Sequence, residues 1–129
     1  MKTKIQIKNG LLYTSIKLGH EGNCVIIDDV IIDTVAFHTI ITTDFLDDMG
    51  AEFSTKDELI EASGYGGVSS YAVRKRIDSI ACETITLKDF KINFVEMYPN
   101  ERVNGWSGLD YLKEAKIVLD LADLIMYTK

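Results

Sequence analysis

The sequence predicts an all-β fold with one short C-terminal helix and a second short helix near residues 43–49. Three observations carry that expectation. Apolar residues recur at period two along much of the chain, and Val, Ile, Thr, Tyr and Phe dominate those runs. A single proline and nine glycines supply punctuation suited to tight turns. The 129 residues fit one domain, residues 1–129, which at this size buries roughly two-thirds of its unfolded surface and needs no covalent staple.

The elements follow in order. Lys4-Ile5-Gln6-Ile7-Lys8 alternates polar with apolar, Asn9-Gly10 is the dipeptide of a type I′ hairpin turn, and Leu12, Thr14, Ile16 and Leu18 then recur at period two. A polar loop is expected over Gly19 to Asn23. Val25 to Asp33 reads as a strand, but Asp28 and Asp29 in its middle could not be buried unpaired, so an edge or a bulge is expected there. Thr43 to Gly50 carries an N-cap candidate, acids in its first turn and a terminal glycine, which gives two short helical turns. Residues 54 to 63 stay open: Ser54 with Asp57 resembles a capping box, yet Glu58 to Ala62 fits a strand entering the turn Ser63-Gly64-Tyr65-Gly66-Gly67 equally well. Strands are then expected over Ser70 to Ile80, Thr84 to Leu87 and Phe90 to Tyr98, with Lys88-Asp89 turning between the last two. A helix over Gly108 to Ala115, a strand over Ile117 to Leu121 and a last one over Leu124 to Tyr127 complete the chain.

Composition narrows the function. Fourteen Lys and Arg against twenty Asp and Glu leave a net charge of −6, which disfavours nucleic acid, since phosphate neutralisation needs surplus cations. Two separated cysteines, Cys24 and Cys82, suit a reduced, cytoplasmic protein better than a disulfide scaffold or a zinc site. The N-terminus begins with two lysines, but Gln6, Lys8, Asn9 and Gly10 interrupt any apolar signal core, and no run is long enough to span a membrane.

The informative acid is Asp33, placed where the apolar strand Val30-Ile31-Ile32 runs into Thr34-Val35-Ala36. A strand end holds a side chain rigidly, and an apolar lead-in lowers the local dielectric. Taken alone, such an acid is more often a turn-former than a catalyst. The surrounding order changes that. Ile31-Ile32-Asp33-Thr34-Val35-Ala36 with the strand Phe37 to Ile41 after it, the Phe45-Leu46 helix ending at Gly50, the Gly64-Tyr65-Gly66-Gly67 turn, and Trp106-Ser107-Gly108 leading through a helix to Ile117-Val118-Leu119-Asp120 appear in that sequence. In this arrangement the chain resembles the retropepsin-like aspartic proteases over nearly its whole length.

The resemblance implies a closed acid-protease β-barrel and an aspartic endopeptidase in which paired Asp33 carboxylates of a homodimer activate water, with no metal or other cofactor. One short chain supplies one carboxylate, so a second copy must supply the other. Thr34 would bond across the dimer and Ala36 would keep the carboxylates' flank small. Val35, Tyr65, Gly66 and Gly67 would line the peptide cleft with Trp106, the glycine turn acting as a flap. The family's glycine after Asp-Thr is Val35 here, and glycine there would allow close backbone approach. The alternative is a catalytically impaired peptide-binding or assembly module on the same fold.

Other candidates carry less. His20, Cys24, His38 and Cys82 are too scattered to favour a closed metal site. Residues 28 to 61 hold ten acids against Lys56, which reads as a solvated face before it reads as a magnet for basic peptides. Arg74-Lys75-Arg76 lies on an expected strand that splits its members between faces, so solubility or pairing with the acidic stretch of another subunit is favoured over nucleic acid. Asp110 opens a helix and reads as a dipole partner rather than a second catalytic acid.

Overall fold

The hairpin dipeptide behaves as its residue types demand. In a computed structural model, which describes residues 2–62, 70–97 and 103–129, Asn9 and Gly10 both have positive φ (+53° and +76°) and join β2 (Gln6–Lys8) to β3 (Leu11–His20), after a first short strand β1 (Lys2–Lys4). A second turn of the same kind corrects the expected polar loop. β3 continues through Gly19 and His20, only Glu21 and Gly22 reverse the chain (φ +50° and +83°), and β4 (Asn23–Ile32) begins at once. Glu21 adopts this conformation with its amide donating to Asp78 Oδ2 at 2.8 Å.

The acidic pair in β4 forms the expected bulge. The register jumps from Thr14↔Val30 to Ile16↔Ile27, so Asp28 and Asp29 stand opposite Ser15 alone, and Asp29 has φ +57°. Ser15 Oγ donates to Asp28 and Lys8 pairs with Asp29, so neither carboxylate is buried without a partner. After β5 (Ile40–Thr42), α1 (Phe45–Asp48) ends at Gly50 with φ +68°. The expected N-cap is not made: Asp44 is itself helical and forms no side-chain cap bond.

The strand reading wins beyond residue 57. Ser54 N donates to Asp57 Oδ2 (2.8 Å) and Lys56 N to Ser54 Oγ (3.3 Å), so the pair resembling a capping box closes a turn that feeds β6 (Glu58–Ala62). The Ser63 to Gly67 turn and the expected strand end at Tyr98 lie outside the described residues. β7 (Ser70–Cys82) and β8 (Ile85–Val95) pair from Val73↔Phe94 to Cys82↔Ile85. Lys88-Asp89 is therefore not a turn. The reversal falls at Glu83-Thr84, while Asp89 keeps a positive φ (+55°) within the strand, held by Arg76.

A three-residue strand, β9 (Gly105–Ser107), completes the barrel. It runs parallel to β4 (Val30↔Gly105, Ile32↔Ser107) and antiparallel to β5 (Ile41↔Gly105). The larger sheet has the order β2-β3-β4-β9-β5-β8-β7-β6, and a further β3–β7 pairing (Leu18↔Ile80) closes six of these strands into a ring. Helix α2 (Leu109–Glu114) follows β9, and β10 (Ile117–Asp120) and β11 (Ile125–Thr128) form a small sheet in the order β1-β11-β10. The core is built from Leu18, Ile27, Val30, Ile41, Ile80 and Ile92, each fully buried. Tyr111 belongs to it because its polar end is satisfied: the hydroxyl donates to Ile85 O (2.6 Å) and accepts from Cys82 N (3.2 Å). Burial pushes the Cys82 thiol up to about 11, so it is un-ionised and poorly reactive at neutral pH. Cys24, in contrast, is exposed.

The basic trio finds counter-ions within the chain. Lys75 is buried with Nζ 3.2 Å from Asp57, Arg74 reaches Glu58 at 3.9 Å, and Arg76 pairs with Asp78 and Asp89. Two of the acids from the expected solvated face are thus structural counter-ions. Among the described residues no helix is long and apolar enough to cross a membrane.

Candidate active site

β4 delivers Asp33 to the rim of the barrel, and β9 fixes it there. Ile32 is buried opposite Ser107, and Asp33 N donates to Ser107 O at 3.0 Å. The chain then turns on the Asp33 side chain itself. Oδ1 accepts from Val35 N (2.9 Å) and Ala36 N (3.2 Å), the pattern by which an aspartate nucleates a turn. Among the described residues no hydrogen bond reaches Oδ2. The carboxylate is half-buried and locked through one oxygen, which leaves the other available to water or a second acid.

The four residues from Asp33 to Ala36 therefore come together in one loop, and that loop faces outward. Thr34 is exposed, Val35 is 91 % exposed, Ala36 is half-buried and Phe37 is 64 % exposed. Val35 is not among the residues with positive φ, so this backbone does not require glycine. Trp106 lies on β9 in register with Ile31, one position before the Ile32↔Ser107 pair that leads to Asp33. Tyr65, Gly66 and Gly67 lie outside the described residues. A cleft of about 430 Å³ also exists, but it is lined by His20, Glu21, Lys75 and residues of the 50–56 segment and includes none of this loop.

Helix α2 braces the loop from behind. A helix start leaves backbone amides without intrahelical partners, and here the loop supplies acceptors: Leu109 N donates to Ala36 O (2.9 Å) and Asp110 N to Phe37 O (2.8 Å). Gly108 allows this approach, since a Cβ there would stand 2.7 Å from the His38 carbonyl. Asp110 does more than offset a helix dipole. Its carboxylate accepts from Thr39 N (2.9 and 3.0 Å), Thr39 Oγ1 (2.6 Å) and Tyr111 N (2.7 Å), while Thr39 Oγ1 accepts from Gly108 N (3.1 Å). Asp110→Ala strands the Thr39 amide and hydroxyl in a buried setting. It is expected to lower stability by about 2–4 kcal/mol, read from the midpoint of urea unfolding.

Sequence reasoning missed Thr39 and the pair beside it. His38 Nε2 lies 3.1 Å from Arg74 Nη2, His38 Nδ1 lies 4.0 Å from Asp110 Oδ2, and the His38 ring meets Phe37 edge-on with centroids 4.8 Å apart. Arg74 Nε donates to Asn93 Oδ1 at 2.9 Å. Burial first and the Arg74 guanidinium second hold the His38 pKa below its ordinary value, with Asp110 opposing them. The one available signal was Thr39 itself, a polar residue heading the apolar Ile40-Ile41 strand.

Comparison with known proteins bears on this arrangement. The profile of the family described as aspartyl protease matches residues 21–111, well over half of the chain. No curated protein matches. Among solved structures, a retropepsin-like aspartic protease from Rickettsia conorii is 16 % identical, with a TM-score of 0.62 over 98 % of this chain and 87 % of that one. The retroviral protease-like domain of Ddi1 from Leishmania major is also 16 % identical, with a TM-score of 0.62 over 96 % of this chain and 90 % of that one. At such identity the likeness is one of fold.

Proposed function

Because the chain belongs to the aspartyl protease family and has the retropepsin-like fold, we propose that it is an endopeptidase whose site is assembled from Asp33 of two identical copies. The observation that carries this reading is the position of Asp33: a lone carboxylate at a strand end, held through Oδ1 by Val35 N and Ala36 N, in a loop whose Thr34 and Val35 are exposed. A single acid cannot both accept and donate a proton in one step. Two carboxylates brought into contact share one proton, since both cannot ionise cheaply.

The chemistry then needs only water and the two acids. The ionised Asp33 takes a proton from water as its oxygen bonds to the scissile carbonyl carbon, and the protonated Asp33 of the second copy gives its proton to the carbonyl oxygen. The first Asp33 then gives the proton it took from water to the amide nitrogen as the carbon–nitrogen bond breaks, and a hydroxyl of the gem-diol returns its proton to the second Asp33 as the carbonyl re-forms. Thr34 would bond across the two-fold axis, Ala36 would leave room beside the acids, and Val35 and Trp106 would flank the peptide with Tyr65, Gly66 and Gly67. Peptide or protein substrate and a second copy of this chain are the partners. The net charge of −6 fits neither nucleic acid nor an anionic membrane surface.

Val35 favours a second reading, in which the fold binds peptide without cutting it, because its exposed isopropyl group occupies space that glycine would leave to substrate. Cleavage of a mixed peptide library between pH 4 and 7 separates the two. The peptidase reading expects wild-type cleavage and, in Val35→Gly, a kcat/KM about tenfold higher for peptides with bulky side chains. A silent wild type with an active Val35→Gly would identify a binding module that has lost hydrolysis. Sedimentation of a monomer at tens of micromolar would reject the paired-acid site.

A further inference from the structure

A side-chain contact with a strict protonation requirement ties the loop that carries Asp33 to β7 and, through it, to β6. Arginine has only N–H donors, so the 3.1 Å contact between Arg74 Nη2 and His38 Nε2 exists only while Nε2 carries a lone pair. The ring proton is then on Nδ1, the nitrogen 4.0 Å from Asp110 Oδ2. Three elements meet at this imidazole: Arg74 from β7, Asp110 from α2, and the loop that begins at Asp33. Glu58 of β6 stands 3.9 Å from Arg74 on its far side and 3.5 Å from Lys91 of β8, and Asn93 of β8 holds Arg74 Nε. Arg74 and Asp110 are the charges that act on the imidazole itself, and Glu58 and Asn93 act on it only through Arg74. Its side chain is 43 % exposed, so protons reach it from solvent.

We propose that His38 is a positioning residue that seats the β6–β7 pair on the Asp33 loop when neutral and releases it when protonated. A proton on Nε2 removes the acceptor and sets an N–H against the guanidinium N–H, replacing attraction with repulsion between two cations. Arg74 then keeps Asn93 and Glu58 but loses its hold on the loop. The direction of the pH effect follows from the depressed pKa. Above the ordinary value of 6.5 the imidazole is neutral in folded and unfolded chains alike. As pH falls through that value the unfolded chain takes up its proton first, so the contact's stabilisation declines until the folded group has titrated and is constant below that. The inference rests on the peptidase reading for its functional meaning, because β6 and β7 flank in sequence the glycine turn expected to cover substrate, but its physical content is independent of catalysis.

The test uses full-length protein carrying Asp33→Asn, so that hydrolysis plays no part. Amide hydrogen exchange is measured across residues 58–61 and 71–74 between pH 4.5 and 7.5, with rates corrected for intrinsic pH dependence. Protection is expected to fall about tenfold from the top of this range to the bottom, beginning near 6.5 and levelling off below the midpoint of the His38 Cε1–H NMR titration, which itself lies below 6.5. Adding His38→Gln, whose side-chain oxygen accepts from Arg74 at every pH, removes the step and keeps protection high. Adding His38→Leu, which accepts nothing, keeps protection low throughout. In enzyme with Asp33 intact, the same step appears as a rise in KM on the acid side that His38→Gln lacks. Exchange that is indistinguishable with and without His38→Gln would overturn the inference even if Asp33 proves catalytic. A clear step, together with wild-type protein that cleaves no peptide of the library, would uphold it and reject the peptidase reading.

Discussion

Asp33→Asn is expected to reduce peptide hydrolysis by about a thousandfold or more while leaving the barrel folded. The two outcomes separate because they rest on different atoms. Asparagine keeps an oxygen at the Oδ1 position, so Val35 N and Ala36 N retain the acceptor that shapes the turn, and Asp33 N still donates to Ser107 O. What disappears is the capacity to hold and return a proton. Mixing tests the shared site more sharply than the single variant does. If each site needs an Asp33 from both copies, equal amounts of wild-type and variant chains allowed to exchange leave about one quarter of the dimers fully wild type and active. Activity per wild-type chain then halves, whereas chains acting alone would keep it unchanged on mixing. An unchanged value, with exchange verified by sedimentation, would show that the second carboxylate does not come from a second copy.

The sequence made local geometry legible where a residue type has one cheap conformation. Asn9-Gly10 announces its turn because both positions need positive φ, and Asp28-Asp29 announces its bulge because two buried carboxylates in a regular strand would be prohibitive. It misled where the same residue types are rescued by a distant partner. Asp89 looks like a turn former, yet Arg76 from the neighbouring strand holds it in β8. Glu21 is a poor candidate for positive φ, but Asp78, 57 residues away, accepts its amide.

At the candidate site the same division holds. Asp33 stood out once the glycine turn and the Gly108 loop were seen in order around it. The brace behind it did not, because Thr39 and Asp110 are separated by 71 residues and only the closed barrel brings them together. Position 35 shows the converse. A backbone that needed glycine could have been inferred from the family pattern, and the observed φ removes that need, so any burden Val35 places on catalysis is one of occupied space.

Gly105→Ala is expected to destabilise the protein by about 3 kcal/mol, the largest effect among the described glycines. Crowding here is between backbones. A Cβ on Gly105 would stand 2.1 Å from Ile40 O and 3.1 Å from Ile40 C, and neither belongs to a side chain that could rotate away. β5 cannot retreat, because it pairs with β8 through Ile40↔Asn93 and Ile41↔Phe94 on its other edge, and β9 cannot retreat, because β4 holds its far side. Gly10→Ala is the control that isolates this mechanism. Its φ of +76° is strained for alanine, but nothing lies within 4 Å of the new methyl, so only a conformational cost of about 1 kcal/mol is expected. Urea midpoints for the two variants should differ accordingly, and equal shifts would mean that β9 is not wedged as tightly as its register implies. The consequence reaches the site directly. Ser107, two residues along the same three-residue strand, supplies the carbonyl that fixes Asp33 N, so a strand pushed off β5 also loosens the acid. Gly105→Ala should therefore lose hydrolysis at temperatures where it is still folded, whereas Gly10→Ala, on a turn remote in sequence from that loop, should keep it.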